Sequence, residues 1–176
     1  TYCVEYIMYG PLSGIMLVWA HGLWGSPNGS KVTAIRESGI EVISPDFNEM
    51  ELIDRVELLE KTIDIGEVVL AGSSWGGLAC ALTAQKKPEK LKGLLLLAPA
   101  LHYPETPNDN PDNLIAPDIP VTIIHSKTDD IVPISASKDY VKRSGNNVNL
   151  IEVEDSHVLE HSIELIISEI NKLLNC

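Results

Sequence analysis

Cysteine is scarce in this chain: Cys3, Cys80 and Cys176 are odd in number and match neither a disulfide framework nor a metal-ligand spacing. A reducing, cytoplasmic location is therefore expected. Long apolar runs are missing too. No stretch approaches the roughly 18 apolar residues of a membrane helix, and no basic segment followed by an apolar one opens the sequence, so neither a span nor a secretory leader is expected. Basic residues are outnumbered, 13 Lys and Arg against 25 Asp and Glu, for a formal net charge of −12. Such a field repels nucleic acid and anionic membrane surfaces, which sets both aside as partners. With no internal repeat, no dinucleotide-binding glycine fingerprint and no cluster of metal ligands, no cofactor and no metal are expected.

What is present is an alternation of apolar strand-length segments with amphipathic helix-length ones, the pattern of a mostly parallel sheet covered by helices on both faces. The expected fold class is a three-layer α/β/α sandwich, and 176 residues fit one domain, 1–176. Tyr2–Met8 reads as an edge strand with Gly10–Gly14 as its turn. Ile15–Ala20, Glu41–Ile43, Val68–Ala71, Leu94–Ala98, Val121–Ile124 and Val148–Val153 read as further strands. Helices are expected from Ser26-Pro27-Asn28 to about Ser38, from Glu49 to Ile63 with Met50, Ile53, Val56, Leu59 and Ile63 buried, over Leu78–Gln85, over Ser135–Lys142, and from Val158 to Leu174. From Pro99 to Asp118, Pro104, Pro107, Pro111 and Pro117 among Asn and Asp forbid a helix. That loop, at about 99–118, leaves the C-terminal end of a strand, where ligands bind in open α/β sheets, and is read as a small lid.

Gly72-Ser73-Ser74-Trp75-Gly76 directly follows the run Val68–Ala71. A buried strand that turns through G-x-S-x-G into a helix bends so sharply that the central serine stands exposed, and Ser74 is read as a nucleophile. Gly72 and Gly76 are the positions where a Cβ would meet the neighbouring strand or helix. Ser73 lacks such flanking glycines, having Ala71 and Trp75 two residues away on either side.

A serine hydroxyl needs a base to take its proton and a third group to hold that base, and in a strand–turn–helix arrangement the partners follow in the order Ser, Asp or Glu, His. The segment His125–Pro133 follows a strand and offers Asp129 as the acid, with Asp130 its close rival. His157, in the loop after the last strand, is the expected base. His161 lies four residues on and is read as packing or facing water, whereas His102 and His125 are read as hydrogen-bonded structural histidines. The oxyanion donors would be the backbone amides of Trp75 and of Leu23, the latter in the loop His21–Gly25, with His21 tying that turn together. Trp24, Leu101, Tyr103 and Val158 are expected to join Leu23 and Trp75 in an apolar substrate-binding wall.

These motifs resemble the α/β-hydrolase superfamily over essentially the whole chain, and within it the small single-domain serine esterases of the YqiA type. The shared pattern is His21-Gly22, Gly25-Ser26-Pro27 with Lys31 in the first helix, Pro45-Asp46, Gly72-Ser73-Ser74, Asp129 and His157. The resemblance implies an α/β-hydrolase fold and hydrolysis of carboxylic esters of short or medium acyl chain, a small-molecule ester or thioester, through an acyl-serine intermediate. The chain departs from larger relatives in lacking a helical cap domain and in placing Trp75 inside the turn. A thioesterase or peptidase using the same three residues, and a non-catalytic binding protein on this fold, are the alternatives.

Overall fold

Strands buried on both faces read as continuous apolar runs, and the centre of this sheet is made of two such runs, Val68–Ser73 and Leu91–Leu97. The computed structural model describes residues 15–103, 111–145 and 147–175. The expected strand Tyr2–Met8, its turn, and residues 104–110 of the expected lid lie outside the described residues. Six strands, β1 (Met16–Ala20), β2 (Val42–Ile43), β3 (Val68–Ser73), β4 (Leu91–Leu97), β5 (Val121–Ser126) and β6 (Val148–Val153), form one sheet in the order β2-β1-β3-β4-β5-β6. Every neighbouring pair is parallel. Among the described residues five α-helices cover it: α1 (Ser30–Glu37), α2 (Leu52–Thr62), α3 (Trp75–Lys86), α4 (Ile134–Ser144) and α5 (Ile163–Leu174).

Because successive strand side chains point to opposite faces, the strands divide their residues between two cores. Val18, Leu70, Leu94, Leu96 and Ile123 pack under α2, α3 and α4. Leu17, Trp19, Val69, Leu95 and Ile124 pack under α1 and α5. The result is the expected three-layer sandwich, and among the described residues no helix is long and apolar enough to cross a membrane.

Two helices depart from the expected pattern. In α2 the buried face is Leu52, Arg55, Val56 and Leu59, while Ile53 is 67% exposed. Arg55 takes the place expected for Ile53 because its guanidinium finds partners under the sheet's C-terminal edge. It donates from Nη1 to the His21 carbonyl at 2.9 Å and lies 4.8 Å from the Trp75 ring and 5.4 Å from the Phe47 ring. The last helix begins at Ile163 rather than Val158. The Asp155 carboxylate captures the His161 amide and the Ser162 hydroxyl, and Leu159 turns into the core with φ of 55°, so residues 158–162 form an irregular loop.

The sheet grows outward in both directions from the β1/β3 pair, so the loops after β1 and β3 diverge and leave a crevice at their C-terminal ends. Here α3 comes very close to β1. A Cβ placed on Gly76 would lie 2.3 Å from the Ala20 carbonyl oxygen and 2.4 Å from that of His21, both backbone atoms that cannot swing aside. Gly76→Ala is therefore expected to destabilise the protein by about 1–3 kcal/mol, the usual cost of overpacking a close contact. Urea denaturation measures it, and an unchanged midpoint would show that α3 has more room than this packing allows.

Candidate active site

The site is built on backbone that sequence alone makes unfavourable. Ser74, between β3 and α3, has φ of 55° and ψ of −115°, a left-handed conformation for a non-glycine residue. Three backbone bonds hold it there: Ser74 N–H donates to the Leu97 carbonyl at 2.9 Å, and the Ser74 carbonyl accepts from Leu78 at 3.1 Å and Ala100 at 3.0 Å. The expected sharp turn is present, with the Ser74 hydroxyl on the wall of a cavity of ≈ 630 Å³.

Ser74 Oγ lies 3.0 Å from His157 Nε2, and His157 Nδ1 lies 2.7 Å from Asp129 Oδ2. Residues from the loops after β3, β5 and β6 thus form one continuous hydrogen-bonded chain. With Asp129 accepting at Nδ1–H, Nε2 is left free to accept the proton of the serine. The side chain of Asp129 is fully buried, and its other oxygen accepts the amides of Ile131 at 2.9 Å and Val132 at 2.8 Å. Burial alone would raise this carboxyl, but the bond from His157 and the two amides outweigh it and hold it below the usual carboxylate range. Asp130, the rival, is exposed.

The loops that carry Asp129 and His157 are tied to each other by Ser126. Its hydroxyl donates to the Asp155 carbonyl and accepts the amides of Thr128 at 3.2 Å and Asp155 at 3.3 Å. His125 is buried and structural, as expected, but it also reaches the same carboxylate. Nε2 lies 2.9 Å from the Val132 carbonyl and 3.2 Å from Asp129 Oδ2, both acceptors, so Nε2 carries the hydrogen and Nδ1 accepts from the Ser137 hydroxyl at 2.7 Å. Burial pushes His125 below the ordinary imidazole value, which favours its neutral form beside Asp129.

His21 also ties its turn as expected. Its Nδ1 donates to the Gly22 carbonyl at 2.7 Å and Nε2 accepts the Phe47 amide at 3.0 Å. The turn closes with Gly25 N–H on the Gly22 carbonyl at 3.1 Å. A Cβ on Gly22 would lie 3.6 Å from that of Ser74, so the chain carrying Leu23 passes directly beside the serine. Trp75 opens α3, and the first amides of a helix have no acceptor within it.

Leu23, Trp24, Tyr103, Val158, Trp75 and Ile131 give the cavity its apolar surface. Leu101 does not belong there. It is 1% exposed and lies in the core cluster under α3, because the bond from Ala100 N–H to Ser74 turns the chain inward at that point. Of the expected lid, Ala100, His102 and Tyr103 line the cavity, whereas residues 111–116 are tied to α3 and α4 through Gln85 and Ser144. Sequence reasoning did not place Lys31, Glu51, His102, Ile131 and Val132 on the wall; they come from helix starts and loop ends, and only Lys31 belonged to a motif, the one shared with the resembled family. His161 lies before α5, exposed, beside Glu160. Among the described residues, Asp155, Glu160 and His161 alone bring enough ligand atoms together to share a cation, and Asp155 already accepts bonds at both oxygens.

The likeness to known proteins covers nearly all of the described fold. A hydrolase of the alpha/beta superfamily from Xanthomonas campestris pv. campestris superposes with a TM-score of 0.76 at 24% identity, over 92% of this chain and 98% of that one. Est1E from Butyrivibrio proteoclasticus gives 0.77 at 20% identity, over 93% and 88%. Alpha/beta hydrolase domain-containing protein 10 from mouse gives 0.77 at 20% identity, over 93% and 90%. No curated protein matches the chain. The fold is that of the α/β-hydrolases, with no helical cap domain among the described residues. Residues 16–174 match the model of one family, and on that match the chain belongs to the phospholipase/carboxylesterase family of α/β-hydrolases.

Proposed function

We propose that the protein is a serine hydrolase that cleaves carboxylic esters of short or medium acyl chain through an acyl-serine intermediate. The observation that carries this reading is the unbroken chain from Ser74 Oγ through His157 to Asp129, at 3.0 and 2.7 Å, on the wall of a largely apolar cavity. Membership of the phospholipase/carboxylesterase family supports the ester as the bond attacked.

In this mechanism His157 Nε2 accepts the Ser74 proton as Oγ adds to the ester carbonyl. The carbonyl oxygen becomes an oxyanion held by the amides of Leu23 and Trp75, and Asp129 stabilises the imidazolium. When the intermediate collapses, His157 returns the proton to the departing alcohol and the acyl group stays on Ser74. Water then gives a proton to His157 and adds to the acyl-serine. Collapse of the second intermediate releases the carboxylic acid and restores the hydroxyl. Trp24, Tyr103 and Val158 supply the apolar contact for the acyl chain.

Ser74→Ala is expected to lower kcat for p-nitrophenyl butyrate by about four to six orders of magnitude, because removal of one member disables the whole unit. Covalent labelling by a fluorophosphonate should be lost with it. Hydrolysis that survives in a folded S74A protein would overturn the reading.

Asp129 also makes a pH prediction. Its carboxyl is held below its unfolded value of about 3.9, so its contribution to stability is complete above that value and is lost as pH falls through the depressed one. The stability lost in Asp129→Asn, measured by urea denaturation, should be largest at neutral pH and shrink below about pH 4. A difference that stays constant across that range would contradict the assignment.

A further inference from the structure

Among the described residues, Lys31 is the only lysine or arginine on the cavity wall that carries Ser74 and His157. Of the nine other lysines, six, residues 86, 87, 90, 127, 138 and 172, each reach a carboxylate, at 2.8 to 3.8 Å, and the three that do not, Lys61, Lys92 and Lys142, lie off the cavity wall. Ion pairing is easy in a chain with 25 acidic residues. Yet the Lys31 side chain, only partly exposed, has neither an ion pair nor a hydrogen bond among the described residues. Asp155 attracts it without contact, since the Asp155 oxygens are engaged by the amides of Ser156 and His161 and by the Ser162 hydroxyl.

Lys31 also sits in the first turn of α1, which holds no acidic residue, and a cation there opposes the helix dipole. Burial lowers its affinity for a proton, which is a second cost. Neither cost is offset by a contact inside the protein. An ammonium offers three donors, and apolar walls strengthen its attraction for an anion.

From this placement we infer that Lys31 is a specificity determinant for esters bearing a carboxylate or phosphate, binding the anionic end while the apolar wall takes the intervening carbons. The inference rests on the proposed ester hydrolysis at Ser74, and it names the substrate class of that same site.

The test compares esters matched except for charge. On the acyl side the pair is p-nitrophenyl hydrogen glutarate and p-nitrophenyl valerate; on the leaving-group side it is p-carboxyphenyl and p-carbamoylphenyl valerate. For one of the two pairs, the ratio of kcat/KM for the anionic over the neutral ester should fall about tenfold in Lys31→Met, as expected for loss of a hydrogen bond to a charged group. Lys31→Arg should restore it, and the pair that responds tells which side carries the anion. Lys31→Gln gives the same comparison if K31M does not fold. Equilibrium binding of the same esters to S74A protein, read by quenching of tryptophan fluorescence, should show the same preference and its loss with the lysine. Hydrolysis with unchanged ratios in both pairs would overturn the inference and leave the ester hydrolase standing. A Lys31-dependent binding preference without turnover of any of the esters would do the reverse.

Discussion

Ser74 occupies a backbone conformation that costs a non-glycine residue about 1–3 kcal/mol, and such strain persists only where surrounding structure over-determines it. Bonds to Leu97, Leu78 and Ala100 do so, and they join β4, α3 and the start of the loop after β4 to one residue. Several features of the site follow from that single turn. It aims the hydroxyl out of the sheet, and it starts α3 so close to β1 that only glycine fits at position 76. It also sets the Trp75 ring against Arg55, whose guanidinium reaches the His21 carbonyl. The turn after β1 and the turn after β3 are thereby locked to each other through a buried cation, and the two proposed oxyanion amides lie on those two turns.

The second anchor is Asp129. A buried carboxylate is tolerable only when its lone pairs are satisfied, and here two amides, His157 and the edge of His125 satisfy them. The bond to His157 also fixes which imidazole nitrogen faces Ser74. His125 completes the cage without adding charge: its Nδ1 accepts from Ser137, and burial disfavours its protonation. Ser126 ties this loop to the one that carries His157. The hydrogen-bonded chain is thus braced sideways between loops as well as along its own length.

Hydropathy carried most of the fold into view because the central strands are buried on both faces, and a continuous apolar run such as Leu94–Leu97 has few other readings. The turn at Ser74 was legible because its glycines are demanded by close backbone approach. Asp129 and His157 were reached through chain order and strand ends. What stayed hidden depends on partners distant in sequence. Apolar periodicity counted Ile53 and passed over Arg55, since a buried guanidinium is recognisable only from the rings and carbonyl it meets. Leu101 looked like wall for the same reason that Ile53 looked like core: both are apolar and near the right place in the chain. The start of α5 depended on the Asp155 carboxylate taking an amide six residues on, which no local propensity records.

The acidity of the chain and the proposed anionic substrate are compatible because the two charges act over different distances. The net charge of −12 is spread over the surface, and at physiological salt its field decays within about 8 Å. It therefore acts on the rate of approach more than on the bound state. In its proposed role Lys31 would meet a bound anion at contact distance, on a wall that also carries apolar side chains, where ions and water screen least. Around the cavity mouth the largest exposed apolar groups, Trp24 at 95%, Ile131 at 65% and Val158 at 53%, offer surface to carbon rather than to charge. One cation set into such a surface favours a molecule that is itself divided, with an apolar stem and a single charged end. A surface of unpaired lysines would attract anions of every kind, whereas the proposed role of Lys31, a sheltered lysine on the same cavity wall as Ser74, is to select those whose length brings an ester to that residue.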